Sequence, residues 1–143
     1  RRQALAGLAL TEVAVPDAAQ GMSRALVRGM AAIAAGDSRA SGLMVLPADM
    51  PGLTAAALGQ MIAAFQDQPT RLTQGAAPDG RPGHPVIFPR DLWGDLAQVT
   101  GDVGGRDLLR RHADRLRVIP LPGRMAHLDL DTPEDWADWQ RQP

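Results

Sequence analysis

The chain has 143 residues, a formal net charge of −1, no cysteine, and 45% hydrophobic residues of which few are aromatic. This length suits one domain with an aliphatic core, so residues 1–143 are treated as a single domain. The charge balance gives no electrostatic reason for a nucleic-acid partner, and no apolar run approaches the ~20 residues that span a membrane. The absence of cysteine excludes disulfides and thiolate metal sites, and a cytoplasmic protein is the expectation.

The first half of the chain predicts strands and helices in alternation. The apolar alternation over 8–15 predicts a strand, and helical spacing of apolar residues predicts an amphipathic helix over 21–35. Residues 42–46 form a nearly continuous apolar run, which is typical of an internal strand covered on both faces. Thr54 is expected to cap a helix that continues to about Phe65.

The second half continues this rhythm. Short strands are predicted at 71–75, 85–88, 116–121 and 126–130, and helices at 91–99 and 106–113. Thr132 at the N-cap, Pro133 at the first position and Asp135 at the third predict the start of a last helix. Such alternation indicates an α/β fold, a three-layer α/β/α sandwich with a mixed, mostly parallel sheet. Ligands of such sheets bind at the carboxyl ends of the strands.

Asp49 is the first candidate at such a strand end, in the stretch LMVLPADMPGLT. Prolines stand two residues to either side of it and stiffen the turn that holds its carboxylate. A carboxylate held in this way suits Mg²⁺, which takes one or two carboxylates together with phosphate oxygens and water. The alternative is a carboxylate that only accepts backbone hydrogen bonds within a tight turn.

Asp129 and Asp131 form the second acidic candidate, in HLDLDTPEDW. They alternate with leucines, so both are expected on one face near a strand end. Two neighbouring carboxylates repel each other unless a cation lies between them, which favours a metal site. The alternative for Asp131 is a favourable interaction with the dipole of the last helix.

His84 lies in the stretch GRPGHPVIF, before a proline and therefore in extended backbone. The preceding Gly83 allows a ligand to approach the backbone closely. His84 is a candidate to donate a hydrogen bond to a phosphate or a ring, and the alternative is an ordinary surface histidine. His112 and His127 have no sequence context that raises them above that alternative.

Two glycine-containing stretches that precede helices are candidate anion sites. TGDVGGRDLL has free backbone N–H groups near Gly104 and the charge of Arg106, or it is a tight turn. AAQGMSRAL places Gly21, Met22 and Ser23 before a helix, where they could meet a base or a phosphate. The alternative there is an ordinary N-cap at Ser23.

Taken together, these stretches resemble the MobA-like nucleotidyltransferase family, and within it the molybdenum cofactor cytidylyltransferases. The matching blocks are AAQGMSRALVRGM, LMVLPADMPGLT, GRPGHPVIFPRDLW, TGDVGGRDLL and LDLDTPEDW, in the family's order across residues 17 to 136. The resemblance implies a Rossmann-like nucleotidyltransferase fold and a Mg²⁺-dependent transfer of a nucleotide from an NTP to a phosphorylated acceptor, with release of pyrophosphate.

The resemblance also implies roles for individual residues. Asp49 is implied as a metal ligand with a second ligand in DLDTPED, for which Asp131 is favoured over Asp129. His84, with Gly83 beside it, is implied at the acceptor phosphate or pterin side. Residues 21–23 are implied near the nucleotide, which CTP suits better than GTP because of the GHP and GMS blocks. A molybdopterin-type cofactor is the implied acceptor and a molybdenum hydroxylase a possible partner.

One family feature has no match in this sequence. The family begins with a strand and a glycine-rich loop that ends in arginine and lysine and holds the triphosphate, whereas this chain contains no lysine. The expectation is a domain that lacks its first βα unit, and a 143-residue chain with little or no transferase activity.

Three other functions remain open from the sequence. One is a guanylyltransferase of the same fold, which nucleotide selection in a binding titration distinguishes. Another is a non-catalytic module that binds a pterin cofactor or accompanies a molybdenum hydroxylase, without dependence on Mg²⁺ and NTP. A third is a glycosyltransferase whose two acids, separated by one residue, hold the metal.

Overall fold

The computed structural model describes residues 5–36, 39–101 and 104–141. Within these ranges the regular elements alternate along the chain much as the apolar pattern predicts. The helices are α1 (Ser23–Ala35), α2 (Ala55–Asp67), α3 (Trp93–Leu96), α4 (Gly104–Arg111) and α5 (Pro133–Gln140). The strands are β1 (Gly42–Val45), β2 (Leu72–Ala76), β3 (Pro82–Pro89) and β4 (Leu116–Pro120). Short 3₁₀ turns occur at Ala18–Gln20, Arg90–Leu92 and Ala113–Arg115.

The four strands form one mixed sheet in the order β1-β3-β2-β4. β3 is antiparallel to both of its neighbours, and β2 and β4 are parallel. β1, β2 and β4 therefore point in the same direction, which confirms the predicted mixed sheet. Because the reversed β3 lies between β1 and β2, only one neighbouring pair among the described strands is parallel. The carboxyl ends of β1, β2 and β4 and the amino end of β3 share one edge, called here the carboxyl edge.

Apolar side chains cover both faces of this sheet. Along β3, Val86 and Phe88 belong to one core and Ile87 to the other, as alternation along a strand requires. Met30 of α1 and Leu108 of α4 also belong to the first core. The second core is built mainly from α2, with Met61, Phe65 and residues that follow β4. The two cores confirm a three-layer α/β/α arrangement.

Two predicted strands are absent from the described residues. Residues 8–15 form no hydrogen-bonded ladder, because no described strand pairs with this segment, and Leu8 is 61% exposed. Residues 126–130 also form no ladder. The turn that starts at Pro122 continues to His127. Beyond it, the N–H of the buried Leu130 donates to the backbone oxygen of Asp49 at 3.0 Å. Alternating leucines here reflect docking onto a loop, not pairing in a sheet.

β1 also differs from the expectation of an internal strand. It pairs only with β3 in the described sheet, and all four of its residues are half-buried. The expectation was wrong because an apolar run reports that side chains are covered, and does not report on which side hydrogen-bonded neighbours lie. The predicted helix over 91–99 is likewise shorter, since a 3₁₀ turn precedes α3.

The predicted helix starts are confirmed. The hydroxyl of Thr54 accepts a hydrogen bond from the N–H of Ala57 at 3.2 Å and caps α2. Thr132 and Asp135 form a reciprocal capping box at the start of α5, with Pro133 at the first helical position. Across the described residues, none of the helices has the length and apolar character needed to cross a membrane.

Candidate functional site at the carboxyl edge

Asp49 lies in the loop that follows β1 at the carboxyl edge. The side chain of Met50 is buried and holds the loop. The backbone oxygen of Met50 accepts a hydrogen bond from the N–H of Leu53 at 3.2 Å. The backbone oxygen of Asp49 accepts from Leu130 at 3.0 Å. Its side-chain atom Oδ1 is buried and has no hydrogen-bond partner among the described residues. A buried carboxylate oxygen without a partner is costly, so this atom is available to a ligand.

His84 reaches the same edge because β3 extends beyond β1. The ladder between these strands ends at the pair Val45 and Val86, so residues 82–85 continue past the end of β1 toward the Asp49 loop. The N–H of His84 donates to the oxygen of Ala126 at 2.9 Å. Its ring atom Nδ1 is buried and without a partner in the described part of the chain. His84 is thus half-buried, and its contact with a ligand stays a prediction.

The surroundings of His84 favour a neutral imidazole. Burial lowers the pKa of His84 below its ordinary value of 6.5, and the charge of His127 acts in the same direction. The carboxylates of Asp49 and Asp129 and the backbone of Val45 oppose this lowering of the pKa. A neutral imidazole has one ring nitrogen that donates and one that accepts, and can therefore meet a ligand oxygen in either role.

The segment 126–130 brings the two candidate side chains together. The backbone oxygen of its first residue, Ala126, accepts a hydrogen bond from the N–H of His84. The N–H of its last residue, Leu130, donates to the backbone oxygen of Asp49. Both end residues are buried, and Ala126 belongs to the second core, which anchors that end of the segment. Asp129 is exposed between these anchors, close enough to His84 for its charge to act on that ring. The structure thus collects Asp49, His84 and Asp129 at one edge of the sheet.

The backbone of β3 departs from the regular ladder just at His84. Gln74 of β2 pairs with Val86, but Ala76 pairs with Pro82, so three residues of β3 stand opposite one of β2. A side chain on that one residue, Gly75, would bring its Cβ within 2.6 Å of the His84 oxygen. Such a β-bulge re-aims the strand where it occurs. The peptide bond between His84 and the following proline is cis.

Gly83 is needed for a close approach of backbone, though the contact is internal. A Cβ on Gly83 would lie 2.1 Å from the oxygen of Ala126 and 2.9 Å from ring atom Cε1 of His127. The space that the missing side chain leaves is therefore filled by the 126–127 turn. Whether a ligand also approaches Gly83 stays a prediction.

The residues predicted near a nucleotide lie at the start of α1. Met22 occupies the N-cap without a side-chain cap, so the alternative of a Ser23 N-cap is not what the structure shows. Ser23 is buried and its Oγ has no partner among the described residues. Gly21 and Met22 line a cavity of ≈ 700 Å³, and Asp49, His84 and Asp129 are not among its lining residues. Their role at a nucleotide stays a prediction.

Gly104 and Arg106 belong to the first turn of α4. A Cβ on the neighbouring Gly105 would lie 3.3 Å from Phe88, which is four residues along β3 from His84. Arg106 is exposed, and residues 102 and 103 of the predicted anion loop lie outside the described residues. An anion site at this helix start stays a prediction.

The acidic side chains at the carboxyl edge fit a divalent cation in part. Within the described ranges, no group of three or more histidine, cysteine or acidic side chains has the geometry of a metal site. Two carboxylates with an orphaned buried oxygen are nevertheless the donor set from which Mg²⁺ is held when phosphate oxygens and water complete its shell. Asp131 is exposed and immediately precedes the Thr132 cap.

Sequence reasoning missed two polar residues of this edge. The amide of Gln74 donates to the oxygen of Gly83 at 3.0 Å. The ring atom Nε2 of His127 lies 2.9 Å from the oxygen of Arg81. A polar glutamine within an otherwise buried strand and the adjacency of His127 to LDLD were the available signals, and neither specifies a partner.

Comparison with known proteins adds a family and two similar structures. Residues 1–116 match the family described as MobA-like NTP transferase domain. The Rv0371c homologue from Mycobacterium sp. strain JC1 is 29% identical with a TM-score of 0.61, over 79% of this chain and 55% of that one. The complex of Rv0371c with manganese from Mycobacterium tuberculosis H37Rv is 28% identical with a TM-score of 0.64, over 78% and 57%.

The chain therefore spans a little more than half the length of these two mycobacterial structures. The curated proteins contain no match to it.

Proposed function

The chain belongs to the MobA-like NTP transferase family, and from this premise we propose that its protein is a nucleotidyltransferase with its divalent-cation site at the carboxyl edge. In the proposed reaction a phosphate oxygen of the acceptor attacks the α-phosphorus of an NTP in line. The bond from the α-phosphorus to the bridging oxygen breaks, and pyrophosphate leaves with that oxygen. The favoured substrates are CTP and a molybdopterin-type cofactor, and the favoured cation is Mg²⁺.

The observation that carries this proposal is the buried Oδ1 of Asp49, which has no partner in the described part of the chain. It lies at the sheet edge where α/β folds bind ligands, and the 126–130 segment holds Asp129 nearby. A bound cation would satisfy the orphaned oxygen and relieve the repulsion between the two carboxylates. Manganese in the complex of the similar Rv0371c supports a divalent cation in this chain as well.

Each residue has one task in the proposed site. Asp49 and Asp129 would hold the cation, and a cation bound there would neutralise charge on the phosphate oxygens. Asp129 is favoured as this ligand over Asp131, because Asp129 lies close enough to His84 for its charge to act on the pKa of that ring. His84 is kept neutral by burial and can donate a hydrogen bond to an oxygen of the acceptor. The transfer needs no covalent intermediate on the protein, so positioning and charge neutralisation carry it.

The finer substrate assignments rest on the sequence blocks. The GHP and GMS stretches favour CTP over GTP. The same resemblance supports a molybdopterin-type acceptor and a molybdenum hydroxylase as a partner. The composition supports a cytoplasmic location.

The first test measures Mn²⁺ binding to the purified chain by electron paramagnetic resonance. Mn²⁺ is expected to bind at one strong site and to be displaced by Mg²⁺. Asp49→Asn and Asp129→Asn should each weaken binding by about tenfold or more, equivalent to about 1.4 kcal/mol. The isosteric amides keep the size of the side chains, so circular dichroism should stay unchanged.

Asp131→Asn is the matched control for Asp129→Asn, because both acids are exposed and lie in the same stretch. It should leave Mn²⁺ affinity within about twofold of the unchanged protein. A larger loss in Asp131→Asn than in Asp129→Asn would restore the assignment that the sequence favours. Equal Mn²⁺ affinity in the unchanged protein and in Asp49→Asn would contradict the proposed site.

The second test compares CTP with GTP by titration calorimetry in the presence of Mn²⁺. Tighter binding of CTP supports the cytidylyltransferase assignment, and tighter binding of GTP supports the guanylyltransferase. Binding of a pterin cofactor that depends neither on the cation nor on a nucleotide would instead identify an accessory module.

A further inference from the structure

The bulge of β3 leaves backbone groups outside the regular ladder. Residues 83–85 stand opposite the single residue Gly75, so the N–H and oxygen groups of the bulge cannot all pair with β2. Buried or half-buried backbone groups need partners, and those outside a ladder take them from side chains or from other segments. The partners of this bulge therefore decide where the His84 ring is held.

Among the hydrogen bonds of the segment 81–84, three tie it to β2 and to the 126–127 turn, and two of these three come from side chains. The N–H of Ala77 also donates to the oxygen of Arg81 at 3.0 Å, and the N–H of Arg81 donates to Oδ1 of Asp79 at 3.0 Å. Gln74 donates to the oxygen of Gly83 at 3.0 Å. The Nε2 atom of His127 lies 2.9 Å from the oxygen of Arg81, and since a carbonyl only accepts, this nitrogen carries the proton. The oxygen of Ala126 accepts from the N–H of His84 at 2.9 Å.

These bonds come from opposite sides of the segment. Gln74 belongs to β2, and His127 belongs to the turn that leads to Asp129. The turn is pressed against the bulge, because a Cβ on Gly83 would lie within 3 Å of both Ala126 and the His127 ring. The segment is thus clamped between a strand of the sheet and the turn that carries an acidic candidate.

We propose that Gln74 and His127 are positioning residues. Gln74 holds Gly83 within the bulge of β3, and His127 holds Arg81 just before that strand, so that the His84 imidazole lies beside Asp49 and Asp129. This inference rests on the proposed function, because it assigns to these hydrogen bonds the orientation of His84 toward the proposed cation and acceptor. Neither residue touches the reacting atoms in this assignment. Each acts through a backbone oxygen within three residues of His84.

The decisive variants remove a donor while keeping size. Gln74→Met keeps the length of the side chain and loses the N–H donor. His127→Ala loses the donor to Arg81, and His127→Gln keeps an N–H at a similar reach and should rescue the effect. Gln98→Ala is the matched control, because Gln98 also donates to a backbone oxygen, that of Gly94 at 3.3 Å, but within its own helical turn.

The first measurement uses Mn²⁺ alone as the probe and follows the Cε1–H resonances of the three histidines by NMR. In the unchanged protein bound Mn²⁺ should broaden the His84 resonance strongly and the His112 resonance little, since His112 lies beside Asp95. In Gln74→Met and His127→Ala the broadening of His84 per bound Mn²⁺ should fall several-fold. Mn²⁺ affinity should stay unchanged, which a general loss of folding would not allow.

The second measurement is hydrogen exchange of the His84 backbone N–H, which needs no metal. This N–H should exchange slowly in the unchanged protein, several-fold faster in Gln74→Met and His127→Ala, and at the original rate in His127→Gln and Gln98→Ala. Should Mn²⁺ fail to broaden His84 even in the unchanged protein, the proposed cation site fails, and the exchange rates still decide on the clamp. Unchanged exchange and unchanged broadening in folded Gln74→Met and His127→Ala would overturn the inference.

Discussion

Asp49 and His84 each have one buried polar atom that no described residue satisfies. In Asp49 this atom is a carboxylate oxygen, which only accepts hydrogen bonds or binds a cation. In His84 it is Nδ1, which donates or accepts according to the tautomer. Since unsatisfied buried groups cost free energy, a ligand that binds these two atoms at the carboxyl edge is expected to raise the free energy of unfolding of the protein.

The protonation of His84 predicts how stability depends on pH. Burial first, and then His127, lowers the pKa of His84 below 6.5, while Asp49 and Asp129 oppose this. The unfolded chain then binds a proton at a higher pH than the folded one. The contribution of His84 is therefore fully present above pH 6.5, and stability falls as the pH decreases from 6.5 toward the folded-state pKa.

Urea unfolding from pH about 8 to about 5, in the presence of a chelator, measures this dependence. The unchanged protein should lose more stability on acidification than His84→Gln, whose amide does not titrate. His112→Gln is the control, and its pH profile should follow that of the unchanged protein. A constant difference between the unchanged protein and His84→Gln across this range would count against the neutral imidazole.

At the scale of single elements, α2 shows how local chemistry places one layer of the fold. Thr54 caps its first turn, and Ala57, Met61 and Phe65 recur every four residues on its buried side. The cap directly follows the loop that carries Asp49, so the start of the helix and the end of that loop are set by the same few residues. A short polar cap and an apolar stripe suffice to define this helix.

Thr54→Ala should lower the free energy of unfolding by about 1 kcal/mol, because the N–H of Ala57 loses its acceptor. Thr54→Ser keeps the hydroxyl and should retain most of the stability. Urea denaturation measures both variants, and Mn²⁺ binding should be unchanged in each, since Thr54 is not a proposed ligand. A Thr54→Ala protein as stable as Thr54→Ser would show that the cap contributes little.

At the scale of the whole molecule, two cores on opposite faces of the sheet support the carboxyl edge. The core under α2 includes Leu121 and Ala126, so it continues directly into the turn bonded to His84. The core under α1 and α4 includes Phe88, at the opposite end of β3. The position of the acidic and histidine side chains therefore depends on packing on both faces.

Neighbouring residues of α2 test this dependence on packing. Met61 is completely buried, whereas Ile62 is 46% exposed. Met61→Ala should cost about 2–5 kcal/mol, because it removes apolar contacts and leaves a cavity. Ile62→Ala, the control in the same helix, should cost less than about 1 kcal/mol. Similar losses in the two variants, measured by thermal or urea unfolding, would contradict the assignment of this core.

Much of the fold could be predicted because its signals are local. The helix that begins at Thr132 was predictable from its cap and proline, and the helix over 21–35 from its apolar spacing. The strand predicted at 126–130 was wrong, since this segment meets the loop that carries Asp49. A Cβ on Gly52 would lie 3.4 Å from Leu128, and the N–H of Leu130 donates to the backbone oxygen of Asp49. Alternation in a sequence shows which side chains are covered, and does not show what covers them.

The candidate site was predictable in part for the same reason. The place of Asp49 at a strand end followed from an apolar run and a proline-stiffened turn. Its proximity to His84 could not be deduced, because it depends on β3 being reversed between β1 and β2 and extending beyond β1. No sequence pattern distinguishes Gln74 or His127, because their partners are backbone oxygens, which every residue has.

The sequence by itself determined the α/β alternation, the helix caps and the acidic and histidine candidates, since turns, caps and periodicity act between residues close together in the chain. Only the tertiary structure decided that Asp49, His84 and Asp129 share one edge, that β3 bulges there, and that Gln74 and His127 contact backbone oxygens near His84. Those relations are hydrogen bonds and contacts between distant segments, which form only when the sheet registers and both cores are in place.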